Sequence, residues 1–149
     1  MIQAKVSLTS PPMLQFILET ESGQRLIIDD EVGQTSSSPA ELMAAALAGC
    51  AAFDVAVILG GKKLTTYEVL VEAERKTASS QALMHVRIHH AITGEDIDPE
   101  MVKEAIRLFE IKCGSAGAVA RHSGVEIKTT YSIQSGSDVQ AGPVSAPAA

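Results

Sequence analysis

Cys50 and Cys113 are the two cysteines of this chain. Two thiols on separate segments can do redox work that neither does alone, one attacking as thiolate and the other closing a disulfide. The plain alternative for either is a small buried hydrophobe. Cys113 stands at the joint Cys113-Gly114-Ser115, just ahead of an expected short helix, where amide N–H groups and the helix dipole favour thiolate. Sequence spacing does not bring the two together, so both readings stay open here. Asp54 lies four residues beyond Cys50, on the same face of a helix. It could orient or deprotonate the thiol, but an anion beside Cys50 would also raise the thiol's pKa. A structural role, binding a basic group from a partner subunit, is the favoured reading. His85, His89 and His90 fall on one strand, two of them on the same face, which is half of a metal site without a supporting Cys or carboxylate. Surface or interface positions suit them better, and His122 suits the end of a helix. No metal, phosphate-loop or nucleotide motif is assigned.

The element that must carry Cys50 is a helix starting at Ser38. Ser38 caps it, Pro39 fits its first position and Glu41 completes a capping box. From Leu42 to Leu59 the one charge is Asp54. A helix apolar all round is a buried one, and Gly60-Gly61 supplies its left-handed end. Its Ala/Gly surface (Ala44, Ala45, Ala48, Gly49, Ala52) admits another backbone closely, so we expect a twofold homodimer with these helices near the axis.

Alternation predicts three N-terminal strands, at 2–8, 13–19 and 25–29, the last two joined by a turn at 21–24. Strands at 66–75 and 83–93 follow the helix. In the second of these Met84, Val86, Ile88, His90 and Ile92 form the more apolar side. Asp98-Pro99 opens a helix with Val102, Ala105, Ile106 and Phe109 at helical spacing, running to about residue 112. A short helix to about residue 122 and a last strand at 125–133 complete the domain. From Gln134 the composition turns to Ser, Gly, Ala, Pro and Gln, which predicts a disordered tail over 134–149. The reading is one α+β domain, 1–133, with antiparallel sheets.

Composition excludes several partners. A net charge of −6 without a basic cluster argues against nucleic acid or an anionic membrane. Aromatics make up only 3% of residues, so base-stacking platforms are not expected. The central apolar stretch carries Asp54 and opens on a capping box, which suits a buried helix better than a membrane span. No basic region precedes an apolar run at the N-terminus, so a cytoplasmic protein is expected.

The run Ser-Pro-Ala-Glu-Leu-Met-Ala-Ala-Ala-Leu-Ala-Gly-Cys-Ala-Ala-Phe-Asp-Val-Ala-Val-Ile-Leu resembles the central helix of the OsmC/Ohr family of osmotically induced and organic-hydroperoxide-resistance proteins. The Asp-Val pair after Cys50 and the upstream Glu-Thr-Glu-Ser-Gly-Gln-Arg-Leu-Ile-Ile-Asp are closest to its OsmC-like branch. Thr-Gly-Glu-Asp-Ile-Asp-Pro through Ile-Lys-Cys is similar to the family's second-cysteine region, and the similarity covers about residues 2–133. It implies two antiparallel sheets around long buried central helices, in an intertwined homodimer. It also implies reduction of organic hydroperoxides in oxidative-stress defence. Cys50 would attack as the peroxidatic thiol, Cys113 would resolve, and a dithiol reductant would regenerate the pair, with no cofactor.

The peroxidase branches carry an activating Glu ten residues before the first cysteine, paired with an Arg. Ala40 stands at that position here. At about 100° per residue Glu41 falls roughly opposite Cys50, and its capping role accounts for it. Arg25 is the one Arg ahead of Cys50 and the candidate for the basic partner, though a strand-surface role also suits it. The alternative reading is therefore a non-catalytic or differently active OsmC-like dimer, serving redox sensing or ligand binding.

Overall fold

A computed structural model describes residues 2–9, 14–29, 36–60, 64–75, 83–112 and 124–144. The chain divides into two compact units, Met1–Met43 and Ala44–Ala149. In the first, β1 (Ala4–Leu8), β2 (Phe16–Thr20) and β3 (Arg25–Ile28) form an antiparallel meander. Its register aligns Val6, Leu18 and Leu26 in one row and Leu8, Phe16 and Ile28 in another on the same face. Lys5, Glu19 and Arg25 share a row on the other face. Period-two alternation thus yields one oily face and one mixed face, where the ionic row lies beside a row of Ser7, Ile17 and Ile27.

The helix α1 (Pro39–Leu59) begins in the first unit and runs through the second. Its start is the predicted capping box. The Ser38 N–H donates to Glu41 Oε2 at 2.7 Å, and the Glu41 N–H donates to Ser38 Oγ at 3.3 Å. Its end is Gly60, at φ +73°, a conformation that costs glycine little.

In the second unit, β4 (Leu64–Arg75), β5 (Leu83–Gly94), β6 (Glu126–Ser135) and β7 (Asp138–Val144) lie in that order in a second sheet. The helix α2 (Pro99–Lys112) links β5 to β6. Asp98 caps it, accepting from the Glu100 N–H at 3.0 Å, with Pro99 at the first position. Its Val102, Ala105, Ile106 and Phe109 are buried at the expected spacing. They pack with Ala51 and Val55 of α1, Ile92 of β5, and Tyr131 and Ile133 of β6. A smaller cluster joins Leu47 of α1 to Val86 and Ile88 of β5. Leu47, Ala51 and Val55 are successive i, i+4 positions, one stripe of the helix against the sheet.

The α+β class and the two sheets agree with the sequence reading, and three features differ from it. The second sheet is not wholly antiparallel: β5 and β6 pair in parallel, because the α2 crossover returns the chain in the same direction. The segment expected to be disordered from residue 134 instead extends β6 to Ser135 and forms β7, antiparallel to β6. Gly136, at φ +60°, begins the two-residue turn between them. Ladder hydrogen bonds to β6 order a segment whose own composition would not. Third, α1 is not buried all round within one chain. Phe53 is 78% exposed and Val57 71% exposed, because the core covers a single stripe. The expected short helix before residue 122, the Gly61 terminus, Cys113, His122 and residues 145–149 lie outside the described residues.

Candidate functional site

Cys50 sits at mid-helix in α1, half-buried, one position before the core stripe residue Ala51, and packs against the main core cluster. Phe53, Asp54 and Val57 follow it at i+3, i+4 and i+7, so all four share one side of the helix. Asp54 is exposed in the single chain and makes no ion pair among the described residues. Beginning two residues past Cys50, an open apolar groove of about 600 Å³ is lined by Ala52, Phe53, Ala56, Val57 and Gly60, with Tyr67 of β4. Tyr67 is the one polar side chain among those residues.

Behind Tyr67 lies a histidine for which the sequence reading favoured a surface or interface position, and which the structure places in the core instead. His90 of β5 is fully buried, and its Nδ1 is 2.7 Å from the Tyr67 hydroxyl. Tyr67 also donates, at a long 3.5 Å, to the backbone carbonyl of Ala51. His90 Nε2 has no hydrogen-bond partner among the described residues. Burial, with a smaller repulsion from His89, lowers the His90 pKa to about 4, so the ring is neutral near pH 7. Burial also pushes the Tyr67 hydroxyl well above its ordinary value, and it stays protonated. The signal for this pair was parity: Tyr67 belongs to the inward alternation of β4, and His90 to the apolar side of β5. Their meeting depends on the β4–β5 register, which sets Val69 against His90 and Tyr67 against Ile92.

Arg25 belongs to the first unit, where its Nε donates to Glu19 Oε1 at 2.7 Å across the β2–β3 ladder. His85 Nδ1 is 3.0 Å from Glu126 Oε2. The ring nitrogens of His89 meet Thr130 Oγ1 at 2.8 Å and Ser132 Oγ at 3.0 Å, on the face of the sheet opposite His90. Ala40 is buried. The Glu41 carboxyl is committed to its cap, and hydrogen bonds from the Ser38 backbone and then its side chain hold its pKa below the ordinary value. Cys50 and Asp54 are therefore brought together on one helix side, and Tyr67, backed by the buried His90, borders the groove that begins two residues past Cys50.

Comparison with known proteins bears on this arrangement. A family model described as OsmC-like protein matches residues 32–130. Protein YhfA of Escherichia coli strain K12 is 30% identical over 122 residues, spanning 80% of this chain and 90% of YhfA. Among solved structures, an OsmC-like protein from Mycoplasma pneumoniae superposes with a TM-score of 0.74 at 14% identity, covering 89% of this chain and 96% of that one. The organic hydroperoxide resistance protein OhrB of Bacillus subtilis superposes with a TM-score of 0.58 at 16% identity, covering 88% and 97%. At these identities the two structures speak to the fold.

Proposed function

The chain belongs to the OsmC-like protein family, and from that membership we propose that it reduces organic hydroperoxides at a cysteine pair, Cys50 attacking and Cys113 resolving. The Cys50 thiolate attacks the distal peroxide oxygen, the O–O bond breaks, and the alcohol leaves with a proton. The resulting sulfenic acid condenses with the Cys113 thiol, releasing water and forming a disulfide, which a dithiol reductant returns to two thiols. The observation that carries this reading is the position of Cys50: half-buried, on the side of α1 that continues into the open apolar groove at Phe53 and Val57. An apolar peroxide can lie there with its oxygens toward the thiol. Among the structural relatives, OhrB is named for organic hydroperoxide resistance.

We propose further that the working form is a homodimer. In one chain the apolar rows of the first unit's sheet leave Val6, Leu8 and Leu26 about half exposed, and α1 leaves Phe53 and Val57 more exposed still. By length and composition α1 could cross a membrane, with 17% of its most apolar window buried. The OsmC-like fold is a soluble domain, so a second copy is the cover we assign to this surface, the groove remaining as an apolar cleft of the dimer through which the peroxide enters. The cytoplasm is the compartment we assign to the protein.

One feature favours a second reading, a dimer that binds apolar ligands or senses oxidants without efficient turnover. The position of the activating Glu is the buried Ala40, and Glu41 is held in its cap. A coupled assay with an alkyl hydroperoxide and dihydrolipoamide, run beside Cys50→Ser and Cys113→Ser, separates the two. The proposal predicts turnover in wild type, none above background in Cys50→Ser, and a loss of about tenfold or more in Cys113→Ser. Wild-type turnover equal to that of Cys50→Ser supports the second reading.

A further inference from the structure

We propose that Tyr67 fixes the oxygen end of the molecule bound in the α1 groove, its hydroxyl donating a hydrogen bond to the peroxide or alcohol oxygen of an apolar alkyl or aryl ligand. This rests on the reading that the groove serves an organic hydroperoxide.

Tyr67 has one phenolic hydrogen but two contacts, to His90 Nδ1 at 2.7 Å and to the Ala51 carbonyl at 3.5 Å. Both are hydrogen bonds only if His90 carries its proton on Nδ1 and donates to the tyrosine oxygen. In that tautomer Nε2 is a bare lone pair, and a stranded buried acceptor is less costly than a stranded N–H. The imidazole cannot turn over without giving up its bond to Tyr67, and Nε2 has nothing else among the described residues to bind. With its proton on Nδ1, His90 presents Tyr67 as a donor.

What the donor now holds is weak. The 3.5 Å contact to Ala51 is at the limit of hydrogen bonding, and that carbonyl also lies within the helix ladder of α1. A ligand oxygen at normal distance would replace it at little cost. The rest of the lining, Ala52, Phe53, Ala56, Val57 and Gly60, is apolar and suits a hydrocarbon body. The groove begins at Ala52, two residues past Cys50, so an oxygen held by Tyr67 lies on the helix that carries the thiol. No proton leaves Tyr67 in this role; it is a positioning residue.

The test uses a stable pair of probes, 2-phenyl-2-propanol and tert-butylbenzene, which differ by a hydroxyl in place of a methyl group. Binding is measured by ligand-observed NMR to the full chain as wild type, Cys50→Ser and Tyr67→Phe. The proposal predicts that wild type and Cys50→Ser favour the alcohol by about tenfold, the scale of one hydrogen bond. Tyr67→Phe should lose that preference while still binding the hydrocarbon, which also shows that its groove is folded. In wild type labelled with 3-fluorotyrosine, the Tyr67 fluorine resonance should shift with the alcohol and that of Tyr131 should not. Equal binding of the two probes by wild type, a preference surviving in Tyr67→Phe, or a Tyr67 resonance indifferent to the alcohol overturns the proposal. A preference that depends on Tyr67 in a chain that turns over no hydroperoxide supports the role of Tyr67 and overturns the peroxidase reading alone.

Discussion

A neutral histidine in the core carries a stability that depends on pH. The unfolded chain titrates His90 near 6.5, whereas burial holds the folded ring's pKa at about 4. A base with a lowered folded pKa contributes its full share above about pH 6.5. That share is lost as pH falls toward 4, because the unfolded chain takes up a proton that the folded one refuses. The groups acting on it are Tyr67 on β4, which in turn meets the Ala51 carbonyl of α1, and the neighbouring His89. At about 1.4 kcal/mol per pKa unit, the loss is about 3 kcal/mol. Urea unfolding at pH 7 and pH 4 should show wild type losing about that much more than His90→Phe; equal losses would contradict it. The inward parity of both residues was legible, although the sequence reading favoured a surface or interface position for His90. Their contact was not, because it depends on a register between strands and not on any local pattern.

Elements were legible where their signals are local. Ser38, Pro39 and Glu41 announce the start of α1 within four residues, and Asp98-Pro99 does the same for α2; the structure has both caps. Ser38→Ala should cost about 1 kcal/mol, the usual worth of such a cap, read as a lowered melting temperature with an unchanged denaturant slope. An unshifted melting temperature would mean the cap contributes nothing. Elements defined by distant pairing were read less well. The parallel β5–β6 pair is set by a crossover that alternation cannot reveal, and β7 is ordered by the ladder it joins. The composition of residues 134–144 describes what the segment buries and says nothing of its hydrogen bonds.

For the whole molecule, apolarity showed that α1 must be covered but not by which chain. One protomer covers the stripe of Leu47, Ala51 and Val55 and leaves Phe53 and Val57 open. If a second copy covers them, the wild type elutes as a dimer and its melting temperature rises with concentration. Val57→Glu, which places a charge on that surface, should then shift the population to monomer; a wild type that is monomeric at high micromolar concentration would contradict this. The central claim joins Cys50 of α1 to Cys113, the residue after α2 ends. Its most direct measurement treats the fully reduced protein with one equivalent of an alkyl hydroperoxide and maps its peptides by mass spectrometry. The account predicts a Cys50–Cys113 disulfide in wild type, and in Cys113→Ser a sulfenic acid trapped at Cys50. Both cysteines remaining as thiols while the hydroperoxide persists would contradict it.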